Sequence, residues 1–328
     1  MLGAPIVLDA QLLVVVLPRI QSEQGPSHIE RIRVDQRGIA ERKTVLDANA
    51  IVPGAYINSW RNVHHPASGS GGEVVVALCH SGQCGGMGAA DAGAKSTLVR
   101  TADNGVTWNV IATLDGVYWI VSWRASPVEV LLYQYPTDNA DSRRPPRFVS
   151  WPSMKPVTPP SPIAGAVEEQ QFPVFIAGGH VGWWWSGGRL VDEAGRVLLT
   201  LPSVATAAPA RQLDLLPSPD GQRLVVTWIT GEAREQRWYW TLFERNSDGT
   251  YAARPTISQP TLINAVPYSW LDDHRVMIPA SAPSPALGLP AGYVPAILDL
   301  DTAEVRPLAA FAADPAIASR GNYVVGID

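Results

Sequence analysis

Thr101-Ala102-Asp103-Asn104-Gly105-Val106-Thr107-Trp108 lies between two short apolar runs, Ser96–Val99 and Val110–Leu114. Asp103 and Asn104 can bond nearby backbone N–H groups through their side chains. Gly105 can take a positive φ without a Cβ clash. The flanks are β-prone, so the stretch reads as the tip of a hairpin. Thr101 can add a hydroxyl contact, and Trp108 can fold under the turn and shield it from water.

The spacing Ser/Thr-x-Asp-x-Gly-x-x-Trp, filled here by Thr101, Asp103, Gly105 and Trp108, resembles the Asp-box repeat of sialidase-like and related β-propellers. The likeness spans eight of 328 residues. It implies a blade-tip structural device, away from any central pocket.

Outward from this turn, the same form recurs. Outer hairpins are expected at Ile32–Leu46, Leu98–Leu114, Arg147–Val157, Leu190–Leu201, Trp238–Thr256 and Ala296–Leu308. Their starts are roughly 40 to 65 residues apart, as blades with variable loops require. Inner hairpins fall between them at Tyr56–Cys79, Tyr118–Tyr135, Phe172–Trp185, Leu213–Ile229 and Tyr268–Ala280. The turn Ser218-Pro219-Asp220-Gly221 resembles the repeat of TolB-like and WD-like propellers.

The expectation is an all-β fold, a closed β-propeller of six blades, with seven as the second choice. Each blade is a four-stranded antiparallel meander, and residues 1–328 form one domain. Met1–Ile20 reads as two strands around Asp9–Gln11. Tyr323–Ile327 can pair with them, or residues 5–46 can supply a whole blade alone.

Composition agrees. The 29 Pro and 28 Gly are spread along the chain, which leaves little room for long helices. Net charge is −5, and Lys occurs only at positions 43, 95 and 155. Arg therefore carries nearly all the positive charge, as in chains from GC-rich genomes. No clustered basic stretch marks a nucleic-acid partner. The apolar N-terminus is too short and too interrupted to span a bilayer.

Cys79 and Cys84 bracket the segment CHSGQC. A disulfide there would stabilise by roughly 2 kcal/mol, and two buried thiols are the alternative. Export is favoured over a cytoplasmic home, since large Asp-box propellers are often exported.

The residues that could carry chemistry are few. Trp183, Trp184 and Trp185 are packing residues between blades or platforms for sugar rings, and His64 and His65 are the other ligand-binding candidates. Strand geometry puts Trp184 on the face opposite its neighbours. Gly82-Gln83-Cys84-Gly85-Gly86 fits a nucleophile-elbow spacing but lacks a proper following helix. Ala94 breaks a P-loop-like run that ends at Lys95-Ser96. Cys79, His80 and Cys84 could hold a metal only if His64 and His65 joined them, and no metal or cofactor is expected. Asp138–Asp141 is read as a solvated loop, not a calcium loop.

A sialidase-like glycoside hydrolase would need an arginine triad, a Tyr–Glu pair and an Asp. Its Arg-Ile-Pro motif is absent. Non-catalytic binding of a protein or glycan partner is therefore expected, with the glycoside hydrolase as the alternative. An enzyme needs carboxylates of raised pKa converging on one site. A binding module needs an exposed aromatic or apolar patch.

Overall fold

The computed structural model describes residues 4–16, 27–62, 73–84, 90–125, 127–137, 147–161, 172–185, 188–202, 212–218, 220–230, 237–259, 269–281, 293–312 and 322–327. The fold is all-β, a β-propeller of six four-stranded antiparallel sheets. Sheet 1 joins β1 (Ala10–Val16), β2 (His28–Asp35) and β3 (Gly38–Asp47) to the C-terminal β25 (Asn322–Ile327). Sheet 2 is β4 (Tyr56–Asn62), β5 (Val74–His80), β6 (Lys95–Thr101) and β7 (Asn109–Asp115). Sheet 3 is β8 (Tyr118–Ala125), β9 (Val128–Gln134), β10 (Arg147–Trp151) and β11 (Lys155–Val157). Sheet 4 is β12 (Phe172–Phe175), β13 (Val181–Trp185), β14 (Arg189–Val191) and β15 (Val197–Thr200).

Sheet 5 contains β16 (Gln212–Pro217), β17 (Arg223–Thr230), β18 (Arg237–Arg245) and β19 (Tyr251–Ala253), with a fifth short strand, β20 (Ile257–Gln259). β19 pairs with Phe243–Arg245 and β20 with Trp238–Trp240, so the two share the work of one outer strand. Pro255 lies in the break, where it has no N–H to offer the ladder. Sheet 6 is β21 (Ser269–Trp270), β22 (Arg275–Ser281), β23 (Tyr293–Asp299) and β24 (Val305–Pro307).

All six expected outer hairpins are present, and the five inner ones lie between them. The N-terminus differs from expectation. Among its described residues it forms one strand, β1, and Ile6 makes a single bridge to Leu308. Pairing of β25 with β1 fills the fourth place in sheet 1, so the N-terminal segment does not supply a whole blade.

Contacts divide the chain into two units: Met1–Ile120 with Gln134–Arg144 and Tyr268–Asp328, and Val121–Tyr133 with Pro145–Pro267. In the first, β1 shows how a strand is buried on both faces. Leu12 and Val14 pack with Ile32, Met277, Ile297 and Phe311. Leu13 and Val15 turn the other way, to Leu46, Val74, Val76, Leu78 and Val99. A continuous apolar run, not an alternating one, is what such a strand requires. In the second unit β13 repeats the device. Trp184 joins Leu190, Leu215 and Trp228, whereas Trp183 and Trp185 join Phe148 and Val191.

Serine hydroxyls satisfy strand-edge N–H groups between neighbouring sheets. Tyr118 N–H and Ile120 N–H of β8 donate to Ser96 Oγ and Ser59 Oγ of sheet 2, each at 2.9 Å. Phe175 N–H of β12 donates to Ser122 Oγ of β8 at 3.0 Å. Ile57 N–H of β4 donates likewise to Ser27 Oγ. Each contact pairs a buried edge group that would otherwise cost free energy.

Candidate functional site

One end of sheet 2 gathers the residues with the most chemical interest. Cys79, near the end of β5, and Cys84, just beyond it, form a disulfide with Cα atoms 6.1 Å apart. Cys79 and Cys84 pack with Ala90, Ala94 and Val117, and Tyr56 and Tyr135 cover this small core. Backbone bonds tie its borders together: Ala90 N–H to Pro136 O at 3.0 Å, Gly116 N–H to Ala94 O at 2.9 Å, and Tyr135 N–H to Val117 O at 2.8 Å.

Trp119 stands at the edge of this arrangement. It is 39% exposed, unlike its strand neighbours Tyr118 and Ile120, which are buried. Its ring lies 5.3 Å from that of Tyr135, with the planes inclined at 39°. The two rings are in contact and inclined, a shallow tilted notch instead of a flat platform.

On the neighbouring strand ends, His80 is buried. Its Nδ1 is 2.8 Å from Ser81 Oγ and its Nε2 is 2.9 Å from Thr97 Oγ1. Thr97 Oγ1 is 3.2 Å from Thr113 Oγ1. Strand register explains the chain of contacts. His80 pairs with Lys95, so Thr97 is its diagonal neighbour on the same face, and Thr97 pairs directly with Thr113. Burial and the nearby Lys95 charge hold the His80 pKa below its ordinary value, which favours the neutral ring.

The Thr101–Trp108 turn is built largely as its residue types demand. Asp103 accepts hydrogen bonds from Thr107 N–H at 2.8 Å, Thr107 Oγ1 at 2.6 Å and Thr101 Oγ1 at 2.8 Å. Gly105 N–H donates to Thr101 Oγ1 at 2.9 Å. Asn104 and Gly105 both have positive φ, 51° and 76°. Trp108 packs against the core shared by sheets 1 and 2. Gly105 presses on Leu13 and Val45.

The tryptophan run is placed differently from a sugar platform. Trp183, Trp184 and Trp185 are 1%, 2% and 0% exposed, their faces taken up by core side chains. Removing Trp184 would open a cavity costing about 3–5 kcal/mol, so its loss would report on folding before any binding. Strand alternation correctly separated Trp184 from its neighbours. His64, His65 and Asp138–Asp141 lie outside the described residues. The metal alternative has lost its donors, since Cys79 and Cys84 are bonded to each other and His80 is engaged by two hydroxyls. Among the described residues no group of His, Cys, Asp or Glu is arranged to hold a metal ion, and no helix is long and apolar enough to cross a membrane.

Where carboxyl pKa values are moved among the described residues, they move down. At Asp103, Asp192 and Asp272 burial pushes upward, but hydrogen bonds from neighbouring N–H and O–H groups outweigh it. At Asp248, bonds from Thr250 lead the downward shift. These carboxylates stabilise turns, and none is tuned as a general acid. Trp119 and Ser81 were not singled out from sequence, because exposure at a strand end depends on which neighbours leave it uncovered.

Comparison with solved structures places the chain beside TolB from Acinetobacter baumannii. The TM-score is 0.50 at 13% identity, covering 93% of this chain and 67% of that one. The WD40 domain of SCAP from fission yeast aligns over 86% of this chain and 72% of its own, with a TM-score of 0.33 and 10% identity. The likeness to TolB shows a shared β-propeller fold and assigns no activity. No family model and no curated protein matches the sequence.

Proposed function

We propose that residues 1–328 form one propeller domain that binds a protein partner through the end of sheet 3 where Trp119 of β8 meets Tyr135, just after β9. The half-exposed aromatic pair is the observation that carries this reading. Aromatic side chains at a partly desolvated notch supply large contact area at low entropic cost and dominate many interfaces. The two rings, 5.3 Å apart and inclined at 39°, offer a partner's apolar or proline side chain a tilted aromatic surface instead of the flat face on which a sugar ring stacks. The lowered carboxyl pKa values support a binding role over a glycoside hydrolase, which requires a raised one. The Cys79–Cys84 disulfide supports an exported protein. The hydrogen bonding of Thr101, Asp103 and Gly105 supports an Asp-box at this turn.

Peptides selected against the protein from a displayed random library test the reading. Binding of selected peptides, measured by calorimetry, is expected to weaken at least about 30-fold in Trp119→Ala, with the melting temperature nearly unchanged. Peptides that bind Trp119→Ala as tightly as the parent would overturn it. So would a glycan from a panel that binds only through Trp119, which would make this end a sugar site.

A further inference from the structure

Ser81 follows β5 with φ of +64°, in the left-handed region that non-glycine residues seldom adopt. Its side chain is exposed, while His80 beside it is buried. The disulfide pins both ends of the Cys79–Cys84 loop. Gln83 N–H donates to Asp91 Oδ2 at 2.7 Å, which fixes the loop's far side. A strained backbone that presents one hydroxyl to solvent and bonds it to a neutral imidazole is an arrangement with a chemical use. A turn needing only a positive φ would be better served by glycine.

We propose that Ser81 is a nucleophile activated by His80 and directed at acyl esters reaching the loop from solvent. Ser81 Oγ–H donates to His80 Nδ1, His80 Nε2–H donates to Thr97 Oγ1, and Thr97 Oγ1–H donates to Thr113 Oγ1. In the first half-reaction Ser81 Oγ forms a bond to the acyl carbon and its proton passes to Nδ1. The ester C–O bond breaks, and the departing alkoxide takes that proton as an alcohol. Water then attacks the acyl-serine, gives a proton to Nδ1, and releases the acid as Ser81 recovers its hydrogen. Gly82 N–H follows the nucleophile in the chain and is the donor proposed for the developing oxyanion. The charged groups around His80 and its loop are Lys95, which pairs with Asp115 at 3.2 Å, and Asp91.

The test is a fluorophosphonate probe on the intact protein at pH 7.5, read by peptide mass spectrometry, with p-nitrophenyl acetate turnover in parallel. Stoichiometric phosphonylation of Ser81 is expected. Ser81→Gly, which keeps the backbone conformation without strain, is expected to abolish both signals while melting normally. His80→Gln retains a hydrogen-bond partner for Thr97. It is expected to slow labelling roughly 100-fold. Labelling of the parent is also expected to fall with acid only below the ordinary histidine range of about 6.5. Absence of label on Ser81, or equal rates in folded His80→Gln and parent, would overturn the proposal. Neither result bears on the Trp119 notch, which is read by peptide binding alone.

Discussion

Two turns of this chain use the same small set of groups to different ends. At Thr101–Gly105 a buried hydroxyl, Thr101 Oγ1, bonds Asp103 Oδ1 at 2.8 Å, and Gly105 takes φ of +76°. At Ser218–Gly221 a buried hydroxyl, Ser218 Oγ, bonds Asp220 Oδ1 at 2.6 Å, and Gly221 takes φ of +67°. The chemistry is shared, and only the glycine shifts, from the fourth residue after Thr101 to the third after Ser218. The surroundings of the two glycines are not. A Cβ on Gly105 would meet the Leu13 Cδ2 methyl at 2.7 Å, the far end of a flexible side chain. A Cβ on Gly221 would meet the Ala177 backbone N and Cα, both at 2.4 Å. Ala177 opens the short 3-10 turn Ala177–Gly179, and Gly221 O also accepts from Tyr251 Oη at 2.8 Å. One turn rests on a movable core side chain. The other is wedged against main chain, so like motifs carry unlike costs of change.

The largest effect is therefore expected at Gly221. Gly221→Ala adds a left-handed strain of about 1–2 kcal/mol to a clash that only backbone movement relieves. A total loss of more than about 3 kcal/mol is expected by chemical denaturation. A loss below about 1 kcal/mol would show that the Ala177 turn yields and that the two sites are equivalent. Gly105→Ala carries the same strain, but Leu13 can change rotamer to make room. A loss of about 1–2 kcal/mol is expected. The double substitution Gly105→Ala with Leu13→Ala sharpens the point. If Leu13 is the obstacle, the two losses should add to less than their sum, the signature of residues in contact. Strict additivity would place the strain in the backbone alone.

The same contrast explains what was legible in the sequence. Hairpin tips announce themselves locally, because a hydroxyl, a carboxylate and a glycine within five residues suffice to make the turn. Thr101–Trp108, the inner turn Ser218–Gly221 and the remaining outer turns could therefore be placed without knowing their neighbours. The apolar run of β1 carries the matching local signature of burial on both faces, although the N-terminus was read as two strands around Asp9–Gln11. What the turn tips press against could not be read, since Ala177 and Gly221 meet only after folding. The site residues fall in that second class. His80 drew attention as a metal ligand, yet its partners are Ser81 and Thr97, set by the β5–β6 register and the disulfide. Trp119 looked like one tryptophan among 12. The clustered Trp183–Trp185 were read as packing residues or sugar platforms; adjacency along a strand sends side chains to opposite faces, and both faces of β13 are core. Aromatic density in sequence signalled packing, and the exposed ring lies elsewhere, on β8.

The smallest effect concerns charge at the Asp103 turn. Burial raises its pKa, but bonds from Thr107 Oγ1, Thr107 N–H and Thr101 Oγ1 dominate, so the net value lies below the ordinary 3.8. A carboxyl depressed on folding stabilises the folded state above its unfolded pKa, and that contribution fades as pH falls through the folded value. Asp103→Asn keeps the shape and one carbonyl acceptor but removes the charge. Near pH 7 it is expected to cost about 1 kcal/mol, at the low end for hydrogen bonds to a charged group because the turn is partly exposed. The gap between parent and variant should stay constant down to about pH 4 and close below it. Peptide binding at Trp119 should be unchanged throughout, because Asp103 closes the β6–β7 tip and the notch lies where β7 leads into β8. A gap that persists at pH 2 would mean that Asp103 acts through shape, as a neutral hydrogen-bonding group, and that the turn owes nothing to its charge.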